Sequence, residues 1–240
     1  FQFDCVVACG GDGTVHEVVN GLMRAGARAV LGVIPAGNGD DFAKMLPPGE
    51  PIKRLLENKF KTVDIGRIVA DGETRYFANG MDIGFGAHGA RNAVSVPGFL
   101  SGLPLYFAAL VMTLARYPRL RVRLTLDDAP AREVATAMVA VMNGSTFGGS
   151  FRVCPEARPD DGVLDLLVAD ALGRLEILGL VPKIMRGAHG GDPRLKLLKA
   201  RRVRMQSEAP LLVEADGEIA FEDARNLEIE VLPGALRVLA

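Results

Sequence analysis

The residues best suited to chemistry near the start of the chain are three glycines and an aspartate in the run Gly10-Gly11-Asp12-Gly13-Thr14. The apolar residues before this run predict a buried strand, and the spacing of apolar residues after it predicts a helix. A glycine turn that leads into a helix exposes backbone N–H groups beside the positive end of the helix dipole, which favours a bound phosphate. Because the Asp12 carboxylate alone would repel phosphate, it predicts a bridging Mg²⁺. We predict a phosphate site here, and a tight turn without a ligand is the alternative.

A second turn of the same kind spans Pro35–Lys44 and follows the buried run Val30–Ile34. Turns at the carboxyl ends of neighbouring strands form the usual ligand crevice of an α/β sheet. Asp40 and Asp41 either cap the helix that follows or help to hold Mg²⁺ beside the phosphates. Lys44 is expected to pair with a phosphate or with one of these aspartates. The two turns together predict a nucleotide crevice.

Two other polar patterns have a structural interpretation that comes first. Thr14 and Glu17 have the spacing of a capping box, which predicts that they close the first turn of the helix. The segment Glu214–Glu218 contains an Asp-Gly pair, which is a strong turn signal and predicts a hairpin with solvated acids. Neither pattern predicts catalysis by itself.

The elements that must position these residues change in type near residue 67. Before it, strand and helix patterns alternate, which is typical of an α/β layer with a parallel sheet. From about residue 61 onward most segments have the character of strands, with helices predicted only at 86–117 and 174–186. The predicted strands are 61–69, 74–83, 121–126, 133–142, 163–168, 201–206, 210–214 and 227–231. The sequence thus predicts an α/β part followed by a β-rich part.

We therefore place an α/β domain at residues 1–67 and a β-rich domain at residues 68–240. A return of residues 233–240 to the first domain stays open. Because the sequence begins inside a strand, the first domain is expected to be truncated at its start.

Composition limits the classes of protein to which the chain can belong. It has 240 residues, of which 49% are hydrophobic and 24% charged, as in a folded protein with a sizeable core. The formal net charge of −1 predicts no nucleic-acid partner. The cysteines show no metal-ligand spacing, and Cys5 and Cys9 are expected to be reduced core residues. No signal peptide begins the sequence, and Phe99–Ala115 is too short to span a membrane, so a cytoplasmic protein is expected.

The motifs, taken in order, resemble the signature of the diacylglycerol kinase catalytic domain, whose superfamily includes soluble bacterial diacylglycerol kinases and sphingosine kinases. Pro35–Lys44 is similar to the family segment P-x-G-T-x-N-D-F-A-R, with Asn38, Asp40 and Lys44 in place of Thr, Asn and Arg. Further matches are Glu17–Gly21, Asp64–Gly66, Phe77–Ala87, Asn143, Gly148-Gly149, Pro155–Ala157, Asp161–Asp165 and Asp216–Glu218. The glycine turn alone is shared with NAD kinases, whereas the ordered set is more specific.

This resemblance implies an α/β nucleotide-binding domain followed by a β-sandwich domain, with the active site in the cleft between them. ATP and Mg²⁺ are the implied cofactors. Asp12, Asp41 and Asp64 would form an acidic network around Mg²⁺, and Asp161 would belong to a structural metal site. The implied nucleotide-binding residues are Gly10, Gly11, Asp12, Gly13, Thr14, Gly37, Asn38 and Asp41.

The expected function is transfer of the γ-phosphoryl group of ATP to a lipid hydroxyl, with diacylglycerol as the leading acceptor. The resemblance makes Asp216 the general base for that hydroxyl, with Glu218 beside it. Such a reaction depends above all on positioning and on charge neutralisation. Two alternatives stay open: a kinase for NAD or another soluble metabolite, and a catalytically inactive nucleotide- or lipid-binding protein.

A lipid substrate requires contact with a membrane surface. Six basic residues within eleven positions predict such contact with anionic lipids on the inner face of the membrane, at roughly 1 kcal/mol per residue. These residues are Arg194, Lys196, Lys199, Arg201, Arg202 and Arg204. A solvated strand face is the alternative interpretation. A homodimer is one assembly that the sequence allows.

Overall fold

The computed structural model describes residues 3–26, 28–57, 59–93, 95, 103–117 and 119–240. The strands in these residues are β1 (Cys5–Gly10), β2 (Val30–Pro35), β3 (Phe60–Ala70), β4 (Glu73–Phe77), β5 (Gly80–Gly84), β6 (Leu120–Leu126), β7 (Arg132–Met142), β8 (Leu164–Asp170), β9 (Leu195–Ala200), β10 (Arg202–Ala215) and β11 (Glu218–Leu239). The helices are α1 (Asp12–Arg24), α2 (Asp41–Lys44), α3 (Pro51–Glu57), α4 (Phe85–Ala93), α5 (Leu103–Arg116) and α6 (Arg174–Arg186).

The first strands and helix form a β-α-β unit. β1 and β2 lie parallel, and their last residues Gly10 and Pro35 are partners in the register. The inner face of α1 places Val15, Val19 and Leu22 in the core of this unit. Because both strands end at the same edge of the sheet, the two glycine turns that follow them are brought together.

Two local predictions for this unit are wrong. α1 begins at Asp12 with Gly11 as its N-cap, so Thr14 lies inside the helix and cannot cap it. Cys5 and Cys9 are exposed rather than buried. β1 pairs with β2 and buries only Ala8, since only one of its faces packs against α1.

The strand β11 runs through both parts of the protein. Its first half pairs antiparallel with β10, for example Leu227 with Met205. Its later residues pair with β3, and Val238 also lies parallel to Leu31 on β2. The last residues of the chain therefore complete the sheet of the β-α-β unit.

The remaining strands build a β-rich layer around a second core. The strand order is β1-β2-β11-β10-β5-β7-β8-β9, with β3 and β4 attached to β11 and with β6 between β10 and β7. Phe77, Met81 and Val213 are fully buried in the core of this part. A further cluster packs α5 and α6 against the other side of β7 and β8, with Leu167 and Leu180 among its buried residues.

Several boundaries differ from the prediction. The predicted strand 74–83 is divided into β4 and β5 at Ala78-Asn79, and the predicted strands 201–206 and 210–214 are one strand, β10. The edge strand β9 was not predicted, because Leu195–Ala200 shows no regular alternation of apolar and polar residues.

The predicted helical stretch 86–117 contains α4 and α5, and its residues 94 and 96–102 lie outside the described part. Among the helices described, none has the length and apolar character needed to cross a membrane.

Candidate active site

The two glycine turns touch each other through their backbones. A Cβ atom on Gly37 would lie 2.4 Å from the Gly11 Cα atom, so a side chain there would force the turns apart. The Ala36 N–H donates to the Gly10 carbonyl at 3.0 Å, which closes the contact. Thr14, with its Oγ1 atom beside Gly10, is exposed, as is Asn38. The contact forms a narrow crevice lined by backbone groups, which suits a phosphate chain.

Asp12 joins the first turn to the second. Its Oδ1 accepts a hydrogen bond from the Phe42 N–H at 3.1 Å, in the first turn of α2. Its other oxygen accepts no hydrogen bond from the described residues. Burial raises the pKa of Asp12 to about 6 against the Phe42 hydrogen bond, and the charges of Asp41, Asp216 and Asp40 add to the increase. This concentration of negative charge is what a bound cation would relieve.

Asp41 is tied to the opposite side of the crevice. It is buried, and its two oxygens accept from Lys44 Nζ at 3.0 Å and from the Gly149 N–H at 2.7 Å. Asp40 has the left-handed φ of 53° and accepts from the Gly37 N–H at 2.9 Å. Neither aspartate caps α2 with its side chain. Lys44 thus pairs with an aspartate, one of its two predicted partners.

Asp216 is anchored in the turn between β10 and β11. Its carboxylate accepts backbone N–H bonds from Ala78 at 2.8 Å, Asn79 at 2.9 Å and Gly80 at 3.0 Å. These bonds explain why the chain breaks between β4 and β5. Asp216 has a φ of 50°, which places it in the left-handed region. The carboxylate is held in one orientation by these contacts.

Glu218 follows Asp216 by two residues and faces the glycine turn. Its Oε1 atom lies 2.7 Å from the position that a Cβ atom on Gly13 would take. Glu218 is exposed, in contrast to Asp216. The Asp-Gly-Glu turn therefore reaches from the β-rich part to the phosphate crevice of the first unit.

His16 is a site residue that the sequence analysis missed. Its Nδ1 lies 3.3 Å from Asp216 Oδ2. Burial lowers the pKa of His16, but its hydrogen bond to Asp216 and the charge of Asp216 outweigh that effect, and the pKa is raised. One turn later, Asn20 donates to the Tyr76 carbonyl at 2.9 Å and accepts from the Tyr76 N–H at 3.0 Å. The i, i+4 spacing of two polar residues on the buried face of α1 is the signal that could have identified them.

Asp64 and Asp161 lie apart from Asp12 and Asp41. Asp64 accepts from the N–H groups of Gly162 and Gly234, both at 2.7 Å, so it ties two loops together. Asp161 lies 3.6 Å from Lys199 Nζ at the surface. The structure thus brings Asp12 and Asp41 together but does not bring Asp64 or Asp161 to them. Within the described ranges, no three acidic, histidine or cysteine side chains form a ready metal cluster.

An apolar cavity of about 440 Å³ opens beside these acids. Its polar end is formed by Asp12, Asp41, Glu214 and Asp216. From there it runs between the sheet and the helices α4, α5 and α6, where the lining includes Phe85, Leu110, Phe147, Leu167, Leu180 and Ile184. Its volume falls in the range of roughly 300–1,000 Å³ that is usual for ligand pockets. A long apolar ligand with a polar end would fit this shape.

Comparison with known proteins identifies the class of fold. The profile of the diacylglycerol kinase catalytic domain matches residues 1–68, and that of the YegS C-terminal NAD kinase beta sandwich-like domain matches residues 79–240. The predicted α/β domain followed by a β-rich sandwich is confirmed. A solved structure assigned as a diacylglycerol kinase from Bacillus anthracis str. Sterne has a TM-score of 0.77 and 26% identity, covering 98% of this chain and 77% of its own. An NAD kinase from Archaeoglobus fulgidus shares the fold at a TM-score of 0.55 and 13% identity, covering 100% of this chain and 78% of its own.

Relatives in sequence place the chain more narrowly. It is 34% identical to a protein of Chromohalobacter salexigens named as a YegS-like lipid kinase, over 98% of this chain and 75% of the relative. It is 32% identical to the diacylglycerol kinase of Mycobacterium tuberculosis, over 98% of this chain and 76% of the relative. The chain belongs to the diacylglycerol kinase catalytic domain family of lipid kinases, and the resemblance seen in its motifs is confirmed.

Proposed function

We propose that the protein transfers the γ-phosphoryl group of ATP to the hydroxyl of a membrane lipid, with diacylglycerol as the leading acceptor. The observation that carries this proposal is the apolar cavity whose polar end is formed by Asp12 and Asp216. A lipid whose acyl chain lies in the cavity would present its headgroup hydroxyl to the crevice between the two glycine turns. A polar, soluble metabolite would bury little apolar surface against the long apolar lining of the cavity. The cavity therefore favours a lipid over NAD as the acceptor.

The triphosphate would lie on the glycine turns. The N–H groups of Gly10–Gly13 and of the touching turn at Gly37 would donate to its oxygens, and the exposed side chains of Thr14 and Asn38 would add hydrogen bonds. Asp12 and Asp41 would hold Mg²⁺, since oxygen ligands are what this ion prefers. When bound, the ion neutralises charge on the transferred group. The raised pKa of Asp12 fits a site that favours a cation.

The Asp-Gly-Glu turn would receive the lipid hydroxyl. Asp216 faces the cavity and is oriented by three N–H bonds, whereas the exposed Glu218 faces Gly13. We propose Asp216 as the acceptor of the hydroxyl proton, with His16 supporting its orientation and Glu218 beside the phosphates. A positioned base of this kind commonly contributes about 10²–10⁴ in rate.

The test is incubation of the protein with Mg²⁺, labelled ATP and a panel of lipid alcohols, with NAD as a soluble acceptor. Label is expected in a lipid, and the Asp216→Asn and Glu218→Gln variants should each lower kcat, with a loss of about 10²-fold or more for Asp216→Asn. Label in no lipid would overturn the proposal. Label in NAD would favour the soluble-metabolite kinase. A thermal shift with ATP but no turnover on any acceptor would favour an inactive binding protein.

A further inference from the structure

A pair of buried acids has no part in the roles proposed above. Asp82 on β5 and Glu214 on β10 are direct partners across the antiparallel strands. Both side chains are 0% exposed. Like charges directly opposite each other destabilise a sheet, and two uncompensated buried carboxylates are costlier still. The pair therefore keeps at least one proton near neutral pH.

Each acid uses one oxygen to accept a backbone N–H bond. Glu214 Oε1 accepts from Gly217, and Asp82 Oδ2 accepts from Ala87 at 3.0 Å. The remaining oxygens, Asp82 Oδ1 and Glu214 Oε2, are buried and receive no N–H or O–H donor from other described groups. Two carboxyl groups bond to each other only when one carries a proton, so one shared proton satisfies both oxygens.

The electrostatics agree with this geometry. Burial raises the pKa of Asp82 to about 7, against hydrogen bonds from Glu214, Ala87 and Gly86. Burial and the charge of Asp82 raise the pKa of Glu214 well above its ordinary value. The pair therefore retains one proton near neutral pH and loses it only at higher pH.

The two N–H groups that the pair holds belong to parts of the proposed site. Gly217 is the centre of the turn that carries Asp216 and Glu218. Ala87 lies in the first turn of α4, and the neighbouring Phe85 and Gly86 line the apolar cavity. The pair is thus a direct link between the turn that would receive the hydroxyl and the wall that would receive the acyl chain.

We propose that Asp82 and Glu214 are positioning residues for the phosphoryl transfer, and that the proton they share fixes the Asp-Gly-Glu turn against helix α4. This inference rests on the proposed function. Loss of the shared proton would leave two like charges opposite each other and release the turn. Asp216 would then no longer meet the hydroxyl of a lipid in the cavity.

Other charged groups near the pair do not replace the proton. On α4, Arg91 pairs with Glu222 of β11 at 2.9 Å, and burial lowers the pKa of His88, with the charge of Arg91 adding to the effect. Asp216 and Glu218 at the turn are themselves acidic. The stretch Val139–Val141 of β7, opposite Asp82 on the other side, is apolar.

The informative variant is Glu214→Gln. Its amide can donate to Asp82 and still accept from Gly217, so both contacts persist without a titrating proton. The kcat of the wild type should fall by about tenfold at alkaline pH, where the pair loses its shared proton, and this fall should be absent in the variant. The KM for ATP should change by less than about twofold. Glu214→Leu should lower kcat at every pH.

A second readout needs no substrate. Because both pKa values are raised in the folded state, the pair stabilises the protein fully below about pH 4. This stability is lost as the pH rises through the raised pKa values, which are about 7 for Asp82 and well above the ordinary value for Glu214. The Tm difference between the wild type and Glu214→Gln should follow that course. Asp165→Asn on β8 is the matched control, as a buried acid outside the pair that should leave the pH profile of kcat unchanged.

The outcomes separate the two proposals. Identical pH profiles of kcat and of Tm in the wild type and Glu214→Gln would overturn the positioning pair. Absence of lipid phosphorylation in the wild type would overturn the proposed function and the positioning role that rests on it, whereas the comparison of Tm values would still test the shared proton.

Discussion

Asp12 illustrates at the scale of one residue how a candidate binding site opposes stability. Its carboxylate is largely removed from water, and three other aspartates lie near enough to raise its pKa further. The contribution of protonated Asp12 to folding stability is lost as the pH rises through its raised pKa, because the folded protein then holds an unfavourable charge. The same charge is what would attract a metal bound to phosphates.

Asp12→Asn should therefore stabilise the metal-free protein while abolishing phosphoryl transfer. The asparagine Oδ1 can still accept from the Phe42 N–H. We expect a gain of about 1–2 kcal/mol in the free energy of unfolding near pH 8 and almost none near pH 4. Urea denaturation at the two pH values measures it. An equal gain at both would show that the charge of Asp12 is not the cause.

The residues that sequence could identify are those whose type is tied to local geometry. The glycines that follow a strand predicted a turn between a strand and a helix, and the Asp-Gly pair predicted the turn between two strands. His16, Asp82 and Glu214 could not be found in this way. The role of each depends on a partner that lies far away in the sequence. A strand register that differs by one residue would place Glu214 on the other face of the sheet.

At the scale of elements, the contact between the two glycine turns fixes the width of the crevice in which we propose that the phosphates bind. The parallel register of β1 and β2 brings the turns to one edge, and the absence of side chains lets the backbones touch. This much followed from the sequence, since two strand–turn–helix patterns predicted the crevice. The contact distance itself depends on tertiary packing and was beyond prediction.

Gly37→Ala tests this contact. The added Cβ atom would lie 2.4 Å from Gly11 Cα and 2.9 Å from Asp40 Oδ1, so the turns must separate. We expect a loss of about 1–3 kcal/mol in stability and a raised KM for ATP. Gly21→Ala on α1, where nothing lies within 4 Å of the added atom, is the control. Unchanged ATP kinetics in Gly37→Ala would contradict the crevice.

Helix α6 changes the expectation for membrane contact. Most of the basic residues at 194–204 have acidic partners, for example Lys196 with Asp170 at 3.2 Å, so their net positive charge is reduced. The outer face of α6 instead exposes Leu175 and Leu178, while its inner face lines the cavity. The charged residues of α6 are exposed beside these leucines, and exposed leucines next to basic residues are suited to an anionic membrane surface. We propose α6 as the part of the protein that meets the membrane.

Leu175→Glu should weaken binding to vesicles that contain phosphatidylglycerol by about fivefold or more, because an apolar contact becomes a repelled charge. Leu56→Glu on α3 is a matched control, since Leu56 and Leu175 are 80% and 83% exposed. Co-sedimentation measures the binding. Equal losses in the two variants would argue against α6, and a larger loss on reversing Lys196 and Lys199 would favour the basic segment.

At the scale of the whole molecule, the site exists only where the two parts of the fold meet. The glycine turns, with Asp12 and Asp41 at the polar end of the cavity, come from the β-α-β unit, and Asp216 and most of the apolar lining come from the β-rich part. Substrate size should accordingly depend on residues far from the phosphates. Ala169 on β8 is buried and lines the cavity, and it lies far in sequence from Asp12, Asp41 and Asp216.

Ala169→Phe should fill part of the cavity and raise the KM for a long-chain diacylglycerol by about tenfold, because apolar contacts of this size are worth about 1–3 kcal/mol. The KM for a short-chain analogue and for ATP should change little. Kinetics with the two acceptors measure the difference. An equal increase for both chain lengths would contradict the assignment of the cavity to the acyl chain.

The path of β11 has a consequence for how the protein is made. Leu31 of β2 receives its neighbour Val238 only after the long stretch of chain between them has been synthesised. The β-α-β unit, although it precedes the β-rich part in the sequence, cannot complete its sheet before β11 has been synthesised. Closing so distant a contact is slow compared with forming local ones. The β-α-β unit should therefore complete its sheet after the β-rich part, and nascent chains that stop short of β11 should not bind nucleotide.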